Sequence, residues 1–176
     1  IILLSPAFLI IPILIKTGSK GKVIFKQKRI GLHGNEFEIL KFRTMKENSE
    51  ANGPQLSSEY DTRITKVGKF LRKTRLDEIP QFFNVLKKEM SIVGPRPERQ
   101  FFIDKIVLKA PHFKHLHKVA PGITSWGQVK YGYAENVEQM VQRLKYDILY
   151  IKNQSLALDL KILLYTVIIV LKRKGK

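Results

Sequence analysis

The stretch Leu71-Arg-Lys-Thr-Arg-Leu-Asp-Glu-Ile-Pro-Gln-Phe-Phe-Asn-Val-Leu86 places two neighbouring carboxylates, Asp77 and Glu78, between a basic and an apolar segment. The apolar run predicts a helix whose first turn contains the acids, with Thr74 in a loose capping pattern. The positive helix end and the flanking basic side chains would both stabilise ionised carboxylates. Simple helix capping explains this stretch by itself. The alternative is a catalytic pair, in which one carboxylate attacks phosphorus and the other binds a divalent cation.

The composition indicates one folded domain with an anionic partner. The chain has 176 residues, 44% of them hydrophobic, which is enough for a core and argues against disorder. Lys and Arg number 32 against 15 Asp and Glu, so the net charge is +17. Nucleic acid, an anionic membrane surface and phosphorylated small molecules all fit that charge. Because the chain has no cysteine, disulfides and thiolate metal sites are excluded.

The N-terminal run, Ile1 to Ile15, carries no charge and is shorter than the roughly 20 apolar residues that span a bilayer. Ser5-Pro6 would interrupt a helix there, which predicts a kinked segment that enters the membrane and returns to the same face. The end of a spanning helix and a buried core helix are the alternatives. Because the chain begins inside this run without Met, we expect a further region upstream.

The C-terminal third contains two apolar helical patterns. Val137 to Ile151 repeats apolar residues at helical spacing, which predicts an amphipathic helix. The uncharged run from Ile162 to Leu171 is too short to span a bilayer and predicts a helix at the interface or in the core. The basic tail, Lys172 to Lys176, suits anionic lipid headgroups.

Basic side chains that could bind phosphate occur in the first half of the chain. Segments 23–25 and 37–42, separated by turn residues, predict a β-hairpin. Lys41 and Arg43 would share a face of its second strand and could bind one anion together, unless they form only a solvated basic edge. Arg96, fixed between two prolines, suits a bidentate contact with phosphate or carboxylate, with a structural turn as its alternative.

Two other features invite a functional interpretation. His112, His115 and His117 have a spacing that suggests a metal site, but no cysteine accompanies them. Trp126 is the only tryptophan, and a core or interfacial position is favoured over stacking on a nucleobase.

The ordered set of motifs resembles the bacterial sugar transferases called monotopic phosphoglycosyl transferases, in particular the catalytic domain of the longer exopolysaccharide and O-antigen subfamily. The resemblance covers nearly the whole chain. The motifs are Ser5-Pro6, Phe25-x-Gln-x-Arg-Ile-Gly31, Lys41-Phe-Arg-Thr-Met45, Leu76-Asp-Glu-Ile-Pro-Gln81, Asn84-Val-Leu-Lys87, Met90-Ser-Ile-Val-Gly-Pro-Arg-Pro97, Pro121-Gly-Ile-Thr124 and Asp159-Leu160. Two departures are Ser125-Trp-Gly127 in place of Gly-Trp-Ala, near a region expected to contact the nucleotide, and Lys88-Glu89 in place of Gly-Asp.

The resemblance implies transfer of a sugar-1-phosphate from a UDP-sugar to polyprenyl (undecaprenyl) phosphate, with release of UMP. This reaction would be the first membrane step of exopolysaccharide, capsule or O-antigen synthesis. By match to the motif, Asp77 is the nucleophile that forms a covalent phosphosugar intermediate, and Glu78 is the ligand of Mg²⁺. The candidates for binding the substrate phosphates are Arg72, Arg96, Lys41 and Arg43.

The expected fold is α+β: a helix-rich monotopic membrane domain with a re-entrant N-terminal helix broken at Ser5 and Pro6, a small β-hairpin or sheet, and amphipathic interfacial helices. We expect a single catalytic domain over 1–176, with a membrane-inserted segment at 1–20, a cytosolic core at 21–155 and an apolar helix with a basic tail at 156–176. The expected location is the cytoplasmic face of the bacterial inner membrane. The expected partners are the UDP-sugar, polyprenyl phosphate and anionic lipids, with homo-oligomerisation left open.

Two other classes compete with this interpretation. A nucleic-acid-binding protein would fit the charge, but the chain has no known binding motif and both ends are apolar, so no nucleic-acid partner is expected. A non-catalytic membrane scaffold would use the same anchor, and it predicts unchanged cellular function after Asp77→Asn.

Overall fold

The computed structural model describes residues 5–51, 53–58 and 61–172. These residues form seven α-helices, three 3₁₀ helices and four short strands, which confirms the expected α+β class. The α-helices are α1 (Ser5–Gly18), α2 (Lys66–Lys73), α3 (Gln81–Leu86), α4 (Gln100–Lys109), α5 (Trp126–Lys130), α6 (Val137–Lys152) and α7 (Leu156–Leu171). The 3₁₀ helices are Leu32–Gly34, Leu76–Glu78 and Pro111–Lys118.

The predicted hairpin is present. Strand β1 (Ile24–Ile30) pairs antiparallel with β2 (Glu36–Phe42), and the register sets Phe25 opposite Lys41. The chain reverses through the short 3₁₀ helix, where Gly34 takes a φ of +79°, a conformation that costs glycine little. The hairpin thereby fixes the position of Lys41, one of the predicted phosphate-binding residues.

A second sheet positions the Pro-Arg-Pro segment. Strand β3 (Ser91–Val93) pairs in parallel with β4 (Gly122–Thr124), and α4 lies in the crossover between them. The backbones are so close that a Cβ atom at Gly122 would lie 2.1 Å from the Gly94 amide nitrogen. The Gly122 amide also donates to the Pro95 carbonyl at 2.9 Å. Glycine at 122 therefore permits the contact that holds the backbone just before Arg96.

The core nearest the acidic stretch joins α1, β2, α2 and the turn after α2. Its buried members are Ile11, Ile15, Phe42, Leu71 and Ile79. Leu71 is completely buried, and burial of a leucine contributes about 1.5–3 kcal/mol.

Aromatic contacts extend this core outwards along α1. The Phe8 ring lies 5.6 Å from the Phe42 ring and 5.5 Å from the Phe83 ring, measured between centroids. Helix α1 is therefore packed against both β2 and α3. Two further cores lie between α4 and α6 and between α6 and α7.

Helices α1 and α7 each leave apolar side chains in solvent. Leu9 and Ile13 of α1 are 73% and 64% exposed, and Leu164 and Leu171 of α7 are 67% and 76% exposed. Among the described residues, no helix has both the length and the apolar character needed to cross a membrane.

The predicted membrane re-entry falls at the edge of the described residues. Ser5 and Pro6 are the first two residues of α1, and residues 1–4 lie outside the described part, as does the basic tail from 173 to 176. A helix break at Ser5 and Pro6 therefore stays a prediction. Within α1 the helix continues through Pro12.

Candidate active site

Asp77 and Glu78 lie in the 3₁₀ turn Leu76–Glu78, which separates α2 from α3. The prediction of a single helix with the acids in its first turn is wrong in this detail, because α3 begins only at Gln81. The Thr74 hydroxyl donates to the Phe70 carbonyl at 2.9 Å and so helps to end α2 instead of capping the acids. Arg75 follows with a φ of +55°, and this left-handed residue redirects the chain into the acidic turn.

Glu78 is enclosed by three cations. Its Oε1 atom lies 2.8 Å from Lys41 Nζ and 3.5 Å from Arg96 Nη1, and its Oε2 atom lies 3.1 Å from Arg75 Nη1. Burial opposes ionisation of Glu78, but the charges of Lys41, Arg75 and Arg96 outweigh it and hold its pKa well below the usual range. Glu78 is therefore a fixed anion that brings three segments of the chain together.

Asp77 has a different environment. No hydrogen bond or ion pair holds its carboxylate within the part of the chain that the structure describes. Burial and the charge of Glu78 raise its pKa to about 6, against the opposing charges of Lys41, Arg72 and Arg75. The two acids thus differ in environment: Glu78 is paired with three cations, and Asp77 has no such partner among the described residues.

Both acids line a cavity of about 960 Å³. This volume is at the upper end of the range for small-molecule sites. The wall is strongly cationic, and each of the four predicted phosphate-binding residues contributes to it. Those residues are Lys41, Arg43, Arg72 and Arg96.

Arg72 lies in the cavity wall and is oriented by neutral partners. Its Nε donates to Thr44 Oγ1 and its Nη1 to Ser57 Oγ, both at 2.9 Å. Thr44 in turn is in close contact with α2, since a Cβ atom at Gly68 would lie 1.9 Å from the Thr44 carbonyl oxygen. Because no carboxylate pairs with Arg72 among the described residues, its charge is available to an anionic ligand.

Arg43 does not join the acid pair. Its guanidinium donates to the Lys20 carbonyl at 2.5 Å and to the Ser19 carbonyl at 2.8 Å, at the end of α1. Ser19 and Lys20 directly follow Gly18, the last residue of α1, so Arg43 holds the segment that leaves this helix. Lys41 and Arg43 were expected to bind one anion together, but in the structure they have separate partners.

Arg75 and Glu98 are site residues that the sequence analysis missed. Glu98 is buried and accepts from Arg29 at 3.1 Å and from Arg143 at 2.6 Å. Arg29 also donates to the Pro97 carbonyl at 3.1 Å, so this ion network fixes the segment that carries Arg96. Arg29 and Glu98 are 69 positions apart, and no local pattern in the sequence pairs them. The only signal for Arg75 was its position beside the acids.

The three histidines lie in the 3₁₀ helix Pro111–Lys118, away from the acidic turn in the chain. Within the described ranges, no group of three His, Asp or Glu side chains is placed to hold a metal ion. Asp77 and Glu78 do supply two carboxylates on one cavity, and Mg²⁺ is commonly bound by one or two carboxylates together with substrate phosphates. This donor set therefore fits Mg²⁺ that arrives with a phosphorylated substrate.

Trp126 lies at the start of α5 and contacts α7. Its ring is 6.0 Å from the Tyr165 ring, and Lys130 Nζ lies 4.9 Å from its centroid. Trp126 also packs against the core between α6 and α7. This position matches the expected core or interface role.

Comparison with known proteins identifies the family. The family described as bacterial sugar transferase matches residues 1–173. The chain is 46% identical over 165 residues to a UDP-N-acetylgalactosamine-undecaprenyl-phosphate N-acetylgalactosaminephosphotransferase of Aeromonas hydrophila, across 94% of this chain and 39% of that protein. It is 44% identical over 169 residues to a UDP-glucose:undecaprenyl-phosphate glucose-1-phosphate transferase of Klebsiella pneumoniae, across 95% of this chain and 36% of that protein.

A third relative is closer in length. The chain is 41% identical over 168 residues to an uncharacterized sugar transferase of Bacillus subtilis, across 96% of this chain and 78% of that protein. The chain spans little more than a third of the first two relatives. Since the family match covers almost all of its residues, the chain belongs to the bacterial sugar transferase family.

Proposed function

We propose that the chain is the catalytic part of a phosphoglycosyl transferase, which moves a sugar-1-phosphate from a UDP-sugar to polyprenyl phosphate and releases UMP. The observation that carries the proposal is the unequal acid pair: Glu78 is held by three cations, and neighbouring Asp77 has no hydrogen bond within the described residues. The names of the Aeromonas and Klebsiella relatives, each with a UDP-sugar donor and undecaprenyl phosphate, support the same reaction.

The proposed chemistry consists of two displacements at one phosphorus atom. An Asp77 carboxylate oxygen attacks the sugar-bearing phosphorus of the UDP-sugar, and the phosphoanhydride bond breaks with its electron pair leaving on UMP. An oxygen of polyprenyl phosphate then attacks the same phosphorus and releases Asp77 as a carboxylate. The covalent intermediate lets a soluble donor and a lipid acceptor use one site in turn.

Electrostatic repulsion is the main obstacle to the first displacement, because a carboxylate must approach a diphosphate. Lys41, Arg72 and Arg96 line the cavity beside Asp77 and offset this repulsion. Cations that are already fixed in place also stabilise the charge on the leaving phosphate without reorganising during the reaction.

Magnesium is proposed as the cofactor. When bound, Mg²⁺ supplies further neutralisation of the diphosphate charge. Glu78 would hold it, because the low pKa of this carboxyl keeps it ionised and it lines the same cavity as Asp77.

The proposed location is the cytoplasmic face of the bacterial inner membrane. The exposed apolar side chains of α1 and α7 would contact lipid, and the net charge of +17 favours an anionic headgroup layer. A lipid-borne phosphate acceptor would then reach the cavity without leaving the membrane surface.

The test is UMP release by the detergent-solubilised protein with undecaprenyl phosphate, Mg²⁺ and a panel of UDP-sugars. We expect UMP release with at least one UDP-sugar. Release over many turnovers should require the lipid, and Asp77→Asn should abolish release. Asp104→Asn, at an exposed position on α4, is the matched control and should retain activity. Without acceptor, intact mass spectrometry should detect a phosphosugar adduct on the wild type that is absent from Asp77→Asn. Full activity of Asp77→Asn would overturn the mechanism.

A further inference from the structure

We infer that Gln128 and Tyr133 are positioning residues that hold the guanidinium groups of Arg75 and Arg96 beside the acid pair, ready for a diphosphate. The inference rests on the proposed function for the identity of that ligand. Gln128 lies on α5, and Tyr133 lies in the segment between α5 and α6. Among the described residues, neither side chain is a hydrogen-bond partner of Glu78, so each would act through the arginines.

Gln128 lies between the two guanidinium groups. With its amide oxygen facing them, it accepts from Arg96 Nη1 at 2.8 Å and from Arg75 Nη2 at 3.3 Å. The residue is only 3% exposed, so the contacts are shielded from solvent. One neutral acceptor therefore fixes the separation of two cations that come from different segments of the chain.

Tyr133 supports the same two cations with its ring. The guanidinium carbons of Arg75 and Arg96 lie 5.4 and 5.9 Å from the ring centroid, both within the range of a cation–π contact. The Tyr133 hydroxyl has no hydrogen bond among the described residues, so the ring is the part of the side chain in contact. Tyr133 also lines the large cavity.

Gln128 and Tyr133 are both uncharged, and this has an electrostatic consequence. Four cations, Lys41, Arg72, Arg75 and Arg96, surround two carboxylates, Asp77 and Glu78, which leaves a surplus of positive charge at this site. A carboxylate in place of Gln128 would cancel part of that surplus, whereas a carboxamide orients the arginines and preserves it. Preserved and pre-oriented cations are what binding of a diphosphate requires.

The position of Gln128 is itself fixed by α6. The Gly127 backbone amide donates to Asp147 Oδ1 at 2.9 Å, and the Gln128 backbone amide donates to Ser125 Oγ at 3.0 Å. A Cβ atom at Gly127 would lie 2.7 Å from Asp147 Oδ2, so glycine permits this close approach. These contacts hold the start of α5, and with it the side chain that orients the arginines.

The experiment uses four variants in the UMP-release assay. Gln128→Met keeps the side-chain length but removes the acceptor, and Gln128→Glu adds a negative charge between the arginines. Tyr133→Leu removes the ring, and Tyr133→Phe retains it. Tyr131→Leu is the matched control, because the exposed Tyr131 contacts Tyr146 and neither arginine.

We expect Gln128→Met, Gln128→Glu and Tyr133→Leu each to raise the KM for the UDP-sugar by about 10-fold, the size of an effect on phosphate binding. Tyr133→Phe, which retains the ring, should have a KM within about 2-fold of the wild type. The control Tyr131→Leu should do the same. A purely structural defect would instead lower the amount of active enzyme, which changes the apparent kcat and leaves the KM unaltered.

Coupling to the arginines is tested with Arg96→Lys. If Gln128 acts through Arg96, adding Gln128→Met to Arg96→Lys should raise the KM by less than about 2-fold. Fully additive effects, or a wild-type KM in Gln128→Met, would overturn the inference. An inactive wild type would refute the proposed function instead, so the two failures are distinguishable. In that case, the affinity of each variant for UDP, measured by calorimetry, still tests the positioning role.

Discussion

Asn84 Oδ1 accepts a hydrogen bond from the Leu40 backbone amide at 3.0 Å, so a buried side chain of α3 pairs with the free edge of β2. Its Nδ2 donates to the Glu38 carbonyl at 2.7 Å. One carboxamide thereby takes the place of a neighbouring strand. It also fixes α3, and the acidic turn just before α3, relative to the strand that carries Lys41.

Replacing Asn84 with leucine should destabilise the protein. The side chains are similar in size, but the Leu40 amide and the Glu38 carbonyl would lose their buried partner. Each unsatisfied group costs about 1–3 kcal/mol, so we expect a loss of about 2–4 kcal/mol in the free energy of unfolding. Urea unfolding in detergent measures it. A loss below about 0.5 kcal/mol would show that water replaces the carboxamide.

Asp77→Asn should stabilise the protein while it abolishes activity. Because the folded state raises the pKa of Asp77 to about 6, its ionised form costs stability above that pH. This loss of stability decreases as the pH falls towards the ordinary pKa of an aspartate, below which the carboxyl is neutral in both the folded and the unfolded state. We therefore expect a gain of about 1–3 kcal/mol at pH 7.5 and little gain near pH 4, from thermal or urea unfolding.

Glu78→Gln should have the opposite effect on stability. It removes the anion that Lys41, Arg75 and Arg96 share, and the loss of one partner from a buried ion pair costs about 3–5 kcal/mol. Near neutral pH the melting temperature should fall. A Glu78→Gln protein as stable as the wild type would contradict the assigned ion network.

The rate of UMP release should fall in mild acid. Below about pH 6 Asp77 becomes protonated, and a neutral carboxyl does not attack phosphorus. We expect kcat/KM for the UDP-sugar to drop about 10-fold for each pH unit below that value. The profile should be measured from pH 5 to pH 8, with circular dichroism to verify folding. A flat profile down to pH 5 would mean that Asp77 is not the titrating nucleophile.

Gly68→Ala should impair both stability and activity. The added Cβ would overlap the Thr44 carbonyl at 1.9 Å, and the resulting shift of α2 would displace Arg72 from Thr44. Overpacking of this kind costs about 1–3 kcal/mol. Gly18→Ala is the control, since its Cβ would meet Val67 at an ordinary 3.4 Å. Similar melting temperatures for the two variants would refute the predicted overlap.

The sequence predicted the parts of the site that depend on local pattern. The hairpin followed from turn residues between two extended segments. Arg72 and Arg96, which line the cavity with the acids, were candidates because one precedes the acid pair and the other lies between two prolines. The acid pair itself was found because two carboxylates stand out in a strongly basic segment.

The remaining features depend on tertiary contacts. Arg75 contacts Glu78 because its backbone takes a φ of +55°, which is uncommon for a non-glycine residue and has no clear sequence signal. The Thr74 hydroxyl could accept a hydrogen bond at the start of a helix or donate one to a carbonyl at the end of a helix. Only the packing of the folded chain decides between these two roles. Arg43 was expected to bind phosphate because its charge is visible in the sequence, whereas the Ser19 carbonyl to which it donates lies 24 positions earlier in the chain.

The contacts of Phe8 with Phe42 and Phe83 join α1 to the strand that carries Lys41 and to the helix that follows the acidic turn. A helix joined only by a flexible linker could change its depth in lipid while the acids stayed in place. Here the Phe8 ring packs against one ring of β2 and one ring of α3, and the acidic turn precedes α3. At the membrane surface proposed for this chain, these three aromatic rings would couple the height of Asp77 above the acyl chains to the depth of α1. Under the proposed mechanism, the acceptor phosphate would have to reach the height at which α1 holds Asp77.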